Sequence, residues 1–234
     1  CGSGLTTLVT DSYVQDIASQ KLCEAMTLNI AENQKVINLI KDCDAIGFGC
    51  GMGDNDDTYN KLEYILNNTT CPIIIDADGL NVLKDKKELL KSNPNRIIIT
   101  PHLGEMSRLT GYPINYIRDN KVDVAKEFAN KYKVVVLLKG YETVITNGKY
   151  TYINPTGNSS MANGGMGDTL LGMITSFVGQ GMTNLMGTVC AAYIHGYIGQ
   201  RLSKDLYTVN ASDVINLIPQ TMKELINWFN KKII

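Results

Sequence analysis

Apolar positions along this chain follow two rhythms that alternate. Short continuous bursts rich in β-branched residues, at Ala45–Phe48, Pro72–Asp76, Arg96–Thr100 and Val134–Leu138, read as strands covered on both faces. Between two of them, Val122, Ala125, Phe128, Ala129 and Tyr132 recur at helical spacing. Nearer the N-terminus, Leu5–Val9 reads as another strand. A helix follows with Val14, Ile17, Ala18 and Leu22 on one face, behind a cap at Asp11 or Ser12. The alternation predicts a doubly wound α/β fold, with a mostly parallel central sheet, right-handed crossovers and helices on both faces.

The rhythm changes after Lys139. Thr143–Asn154 predicts a hairpin turning at Asn147-Gly148. Three helices are then expected, over about Gly167–Val178, Asn184–Leu202 and Ser212–Phe229, the last interrupted by Pro219. No linker, repeat or low-complexity tract divides the 234 residues, so a single domain over residues 1–234 is expected.

Composition narrows the function classes. The net charge is −1, which gives no electrostatic reason to bind nucleic acid or an anionic membrane. No apolar run is long enough to span a bilayer. The six cysteines have no C-x-x-C spacing, which argues against a zinc or redox motif. In a chain of this length they read as free thiols in a reducing, cytoplasmic compartment. His195, within "AAYIHGYIG", reads as a core or subunit-interface histidine.

In open α/β sheets, ligands gather at the carboxyl ends of the strands. Here each strand ends in polar residues and glycines: Gly49-Cys50-Gly51-Met52-Gly53-Asp54, then Asp76-Ala77-Asp78-Gly79, then Thr100-Pro101-His102-Leu103-Gly104-Glu105, then Lys139-Gly140-Tyr141-Glu142-Thr143. Each has a plain structural alternative. The glycines suit a tight turn, Asp76 and Asp78 suit helix N-caps, His102 can end a strand, and Lys139 can be a solvated strand terminus. Neither a Walker A sequence nor G-x-G-x-x-G is present, since Gly47, Gly49, Gly51 and Gly53 fall at every second position.

"NGGMGDTLLG", Asn163–Gly172, raises the sharpest possibility. Glycines at a helix mouth let unpaired amides approach an anion. Asp168 in the first turn suits a base that takes a proton from a hydroxyl attacking a phosphoryl group. The amides of Gly165, Met166 and Gly167 would hold the developing charge. The alternative is that Asp168 only caps its own helix.

"NPTGNSSMANGGMGDTLLGMI", Asn154–Ile174, resembles the signature of the ribokinase-like fold, and more narrowly the carbohydrate-kinase-like domain of the NAD(P)H-hydrate dehydratases. "GFGCGMGD", "IDADGLNVL", "TPHLGEMSRL" and "LKGYETVI" agree in order and spacing over nearly the whole chain. The resemblance implies an enzyme that phosphorylates the hydroxyl of hydrated NADH or NADPH (NADHX, NADPHX), eliminates phosphate and restores NAD(P)H. Mg²⁺ is the implied cofactor, and ADP is a more expected donor than ATP. By motif, Asp168 would activate the hydroxyl, with Gly165 and Gly167 at the reacting phosphate. Lys139, Gly140, Tyr141, Glu142, Thr143 and Gly167 would bind the adenine nucleotide. Gly51, His102 and Asp168 would meet the hydrated cofactor. Asn158 and Glu105 would support phosphate and metal, with no dedicated metal-ligand set in the protein. A homotetramer is also implied. Family members usually begin with a further strand and glycine-rich turn before the match to "GSGLTTLV", so that piece is expected to be missing here. A hydroxymethylpyrimidine or hydroxyethylthiazole kinase of the same fold, or a nucleotide-binding module without catalysis, are the competing readings.

Overall fold

The computed structural model describes residues 1–233. Its strands are β1 (Thr7–Thr10), β2 (Met26–Asn29), β3 (Ile46–Phe48), β4 (Ile73–Ile75), β5 (Ile97–Ile99), β6 (Val135–Leu138), β7 (Val144–Thr146) and β8 (Thr151–Ile153). Its helices are α1 (Ser12–Lys21), α2 (Asn33–Asp42), α3 (Asp56–Asn68), α4 (Asp78–Asn81), α5 (Leu103–Thr110), α6 (Ile114–Asp119), α7 (Lys121–Tyr132), α8 (Met166–Gly179), α9 (Asn184–Leu202) and α10 (Ala211–Ile233).

Strands β3 to β8 form one sheet in sequence order. β3 to β6 are parallel, and β7 and β8 extend the sheet antiparallel. The apolar bursts have no polar alternation because both faces are covered. On one face Ile73, Ile75, Ile97, Ile99, Val136 and Leu138 pack against α3, α5 and α7 through Leu62, Leu66, Met106, Leu109, Val124 and Phe128. On the other, Ile74, Ile98, Val135 and Leu137 pack against α8, α9 and α10 through Met173, Ile174, Phe177, Ala191, Ile198, Val214 and Ile218. Burying one such aliphatic side chain contributes about 1.5–3 kcal/mol, so this three-layer sandwich is the main source of stability. The first face is wound by crossovers between successive strands, and the second is covered by the three consecutive C-terminal helices. β1 and β2 make a separate parallel pair, and α1 between them buries no residue.

Local chemistry sets the boundaries. Asp11, not Ser12, caps α1, its carboxylate accepting from the Val14 N–H at 3.0 Å. The hairpin turns where expected, with Asn147 Oδ1 accepting from the Lys149 and Tyr150 amides and Gly148 at φ 87°. The expected break at Pro219 does not occur, since α10 runs unbroken from Ala211 to Ile233. Val214, Ile218 and Thr221 form a buried stripe that holds both sides of the proline against the protein, while Pro219 itself lies on the exposed side. Packing of that stripe outweighs the lost backbone bond.

His195 is a core residue of α9, 8% exposed, and its Nε2 has no hydrogen-bond partner. Burial lowers its pKa to about 4, from an ordinary value of 6.5. A base held neutral in the folded state contributes stability that is present above pH 6.5 and lost as pH falls toward 4. Between pH 7 and pH 5 this one group should remove about 2 kcal/mol of stability. His195→Gln should flatten that part of the profile, measured by urea unfolding at both pH values.

Candidate active site

The carboxyl ends of β3 to β6 converge on one edge of the sheet. Gly49 leaves β3 at φ 120°, and a Cβ there would stand 2.0 Å from the Asp76 carbonyl oxygen and 2.7 Å from the Gly79 nitrogen. Only glycine permits this backbone contact, which fixes the exit of β3 against the exit of β4. The rest of the glycine loop is tied down nearby. The Gly53 N–H donates to Asp78 Oδ2 at 2.8 Å, and the Thr58 hydroxyl donates to the Met52 carbonyl at 2.9 Å. Gly51, at φ 68°, faces open space: a Cβ added there would meet nothing within 4 Å.

Neither aspartate after β4 serves as a helix N-cap. α4 starts at Asp78 with Ala77 in the cap position and no side-chain cap. Asp76 is buried, and its Oδ1 accepts from Lys139 Nζ at 2.7 Å and from the Ala77 N–H at 2.8 Å. Lys139 is therefore an ion-paired residue of the cleft, 22% exposed, with buried Glu105 at 3.9 Å as a second carboxylate. Burial pushes the Glu105 carboxyl up, opposed by the Lys139 charge and by the His102 N–H that it accepts at 2.7 Å.

His102 caps α5 rather than simply ending β5. Its Nδ1 accepts from the Gly104 and Glu105 amides, and Glu105 accepts from the His102 N–H, closing a reciprocal capping box. With Nδ1 an acceptor, Nε2 is the ring nitrogen that stands 3.4 Å from Glu105 Oε1, on a side chain 54% exposed. Lys139 N–H donates to the Pro101 carbonyl at 2.8 Å, joining this cap to the end of β6.

The mouth of α8 opens onto the same cluster. Gly165 occupies its N-cap in the left-handed conformation, and the helix has no side-chain cap. Asp168 therefore does not cap its own helix. Thr169 is bonded back to Gly165, leaving the first-turn amides of Met166, Gly167 and Asp168 for an outside acceptor. The loop before the helix is held by Asn163, whose side chain donates to the Ser160 and Val209 carbonyls. A side chain at Gly167 would come within 3.6 Å of both Asp76 Oδ2 and Lys139 Nζ. Burial and the adjacent Asp168 carboxylate push the Cys50 thiol up, so Asp168 borders the glycine loop.

Beyond Lys139, Gly140 has φ 142° and Glu142 has φ 53°. The loop is held from below by Lys121, whose Nζ donates to the Tyr141 and Glu142 carbonyls at 2.6 and 2.8 Å, and by the Thr143 hydroxyl on the Gly140 carbonyl. Tyr141 is 84% exposed. Gly140, Tyr141 and Glu142 line a cavity of about 600 Å³ together with Lys121, Leu103 and Ile153. A larger groove, about 830 Å³, lies at the opposite edge of the sheet around Arg96, Tyr150 and Asn184, away from this chemistry.

The structure thus joins Gly51, His102, Glu105, Lys139 to Thr143, Gly165, Gly167 and Asp168 along one edge. Asn158 is bonded through its side chain to Ser160 in the turn that precedes α8 and to Ser203 at the end of α9. Sequence reasoning set Asp76 and Cys50 at strand ends without giving either a role in the site, and it missed Lys121. For Asp76 a signal existed: it and Lys139 are opposite charges ending two all-apolar strands.

The model of the NAD(P)H-hydrate dehydratase family matches residues 1–220. An ADP-dependent (S)-NAD(P)H-hydrate dehydratase of Staphylococcus aureus is 36% identical over 96% of this chain and 80% of its own. A bifunctional NAD(P)H-hydrate repair enzyme of Moorella thermoacetica is 31% identical over 96% of this chain, which spans only 45% of that relative's length. A crystal structure of the ADP/ATP-dependent NAD(P)H-hydrate dehydratase of Bacillus subtilis, co-crystallised with ATP and Mg²⁺, superposes with a TM-score of 0.78 at 28% identity, covering 95% of this chain and 80% of that one.

Removing one partner of a buried ion pair leaves an uncompensated charge, at a cost of about 3–5 kcal/mol. Asp76→Asn should fall near the low end of that range, since Glu105 still faces Lys139. The check is the urea midpoint, which an unneeded pair would leave in place.

Proposed function

The chain belongs to the NAD(P)H-hydrate dehydratase family, and we propose that it repairs hydrated NADH and NADPH at the edge just described, using an adenine nucleotide as phosphoryl donor. The observation that carries this reading is the uncapped start of α8. Lys139 lies beside its first turn, with Asp168 beside the glycine loop. Asp168 takes the proton of the ring hydroxyl as that oxygen attacks the terminal phosphoryl group, whose bond to the bridging oxygen breaks so that the nucleotide leaves one phosphate shorter. The amides of Gly165, Met166 and Gly167, with the dipole of α8, hold the charge that builds on the transferred group. Phosphate then departs with the electrons of the ring C–O bond, the neighbouring ring carbon gives up a proton, and the double bond returns.

The loop from Lys139 to Thr143 takes the nucleotide, with Gly140, Tyr141 and Glu142 along its cavity. The hydrated cofactor lies on the open side, against Gly51 and His102. ADP is the preferred donor, in line with the name of the Staphylococcus aureus relative. No group of three His, Cys, Asp or Glu among the described residues is arranged to hold a metal ion, and Asp76 and Glu105 both face Lys139. These residues fit a Mg²⁺ ion carried in on the nucleotide phosphates, with Glu105 and Asn158 in supporting positions. When bound, the ion screens phosphate charge. A homotetramer is proposed on the exposed apolar surface of α9 and α10, which includes Tyr193, Ile226 and Phe229. Free thiols at all six cysteines suit a cytoplasmic setting. No helix among the described residues is long and apolar enough to cross a membrane.

Incubation with hydrated NADH, Mg²⁺ and either ADP or ATP should restore the absorbance of the reduced nicotinamide, faster with ADP. No recovery with either nucleotide rejects the reading, and a stable phosphorylated vitamin precursor would move the protein to the kinases. Asp168→Asn should lower turnover by about 10²–10⁴-fold while sparing nucleotide affinity. An active variant would remove Asp168 as the base.

A further inference from the structure

At the other end of β3 and β4 lies a pair of thiols with no part in the proposed catalysis. Cys43 follows α2 as its C-cap residue, and Cys71 stands two residues before β4. Their sulfurs are 3.6 Å apart, and each side chain is partly buried, within reach of a small solute. We propose that Cys43 and Cys71 form a reversible dithiol–disulfide site, oxidised by a hydroperoxide and reduced again by a small-molecule thiol.

The surroundings give the two sulfurs different roles. The Arg96 guanidinium is fixed next to Cys71 by donating to the Leu66 carbonyl at 2.8 Å and to the Thr69 carbonyl. The contact with Cys43 and the Arg96 charge outweigh burial and bring the Cys71 thiol down to about 7. The same contact with Cys71, reinforced by burial, pushes Cys43 up. Cys71 is thus the nucleophile, since the thiolate is the reactive form, and Cys43 is the resolving thiol.

The chemistry balances in two steps. The Cys71 thiolate attacks one peroxide oxygen, the O–O bond breaks, and hydroxide leaves from a Cys71 sulfenic acid. Cys43 sulfur then attacks the Cys71 sulfur, the S–O bond breaks, and a second hydroxide departs. The Cys43 proton and one proton from solvent convert the two hydroxides to water. The two sulfurs together lose two electrons, and the peroxide gains them. Bond formation requires the sulfurs to close from 3.6 Å to about 2.05 Å, a movement within the range of side-chain rotation. The bridge would span a sequence separation of 28 residues, enclosing β3, the glycine loop and α3.

The test uses the full reduced chain, exposed to graded hydrogen peroxide, with remaining thiols then alkylated and the protein digested for mass spectrometry. The expected product is a Cys43–Cys71 linked peptide, two hydrogens lighter than the sum of its parts and lost on treatment with dithiothreitol. Cys43→Ser should halt Cys71 at the sulfenic acid, trapped by dimedone, and Cys71→Ser should leave Cys43 unmodified. The proposal is overturned if wild-type Cys71 proceeds to sulfinic acid while Cys43 stays free. It is equally overturned if exposed Cys23 oxidises while Cys43 and Cys71 both remain alkylatable. Neither readout depends on the repair activity.

Discussion

The pairing of Lys139 with Asp76 is the constraint around which the functional edge is organised. It joins the ends of two strands that are not neighbours, β4 and β6, across β5. A lysine at a sheet edge could swing into solvent, but a buried carboxylate at 2.7 Å holds its charge at one point. That point lies beside the first turn of α8, so a fixed cation and the positive end of a helix dipole are brought together. Two like partial charges so placed repel one another. The arrangement is favourable when Asp76 supplies a counter-charge and an anion enters between them. A Cβ at Gly167 would meet Asp76 Oδ2 and Lys139 Nζ at 3.6 Å, an ordinary contact distance, so the start of α8 lies directly against the ion pair.

The second carboxylate refines this balance. Glu105 lies close enough to Lys139 to feel its charge, yet its main hydrogen bond goes to the His102 amide. One residue therefore links the capping of α5 to the electrostatics of the cleft. The His102 ring, positioned by the amides it accepts, projects from a helix start instead of a mobile loop. Lys121 does the same for the next segment by holding two carbonyls of the Lys139–Thr143 loop from beneath. These groups orient the ones that would meet ligand, as second partners commonly do in preorganised sites.

Much of this was legible in the sequence, for a physical reason. Strands buried on both faces must be continuous apolar runs, so β3 to β6 announced themselves, and whatever follows such a run must stand at the sheet edge. That logic placed Gly51, His102 and Lys139 near one another, while Asp168 rested on the glycine-rich helix mouth and on the resemblance. It could not say which charges pair, because pairing depends on strand order and side-chain direction. Asp76 was thus weighed as a cap although it is the counter-ion. Pro219 was misread for a related reason. A local rule about the missing amide was applied where a buried stripe at Val214, Ile218 and Thr221 decides the outcome. α2 and α3 are at least as amphipathic as α7, yet sequence reasoning does not single them out.

The two ends of the β3–β4 pair carry different demands. At the carboxyl end, Gly49 is locked against the Asp76 backbone, and the same residue holds Lys139 through its side chain. At the amino end, chain leaves α2 and α3 through half-buried turns where two sulfurs nearly touch. A covalent link there would restrain the unfolded chain more than it would reshape the folded one. The rigid contact between Gly49 and Asp76 stands between that link and the cleft. A redox change at the amino end is therefore expressed as a change in the stability of the β3–α3 segment, with the geometry around Lys139 left as it was.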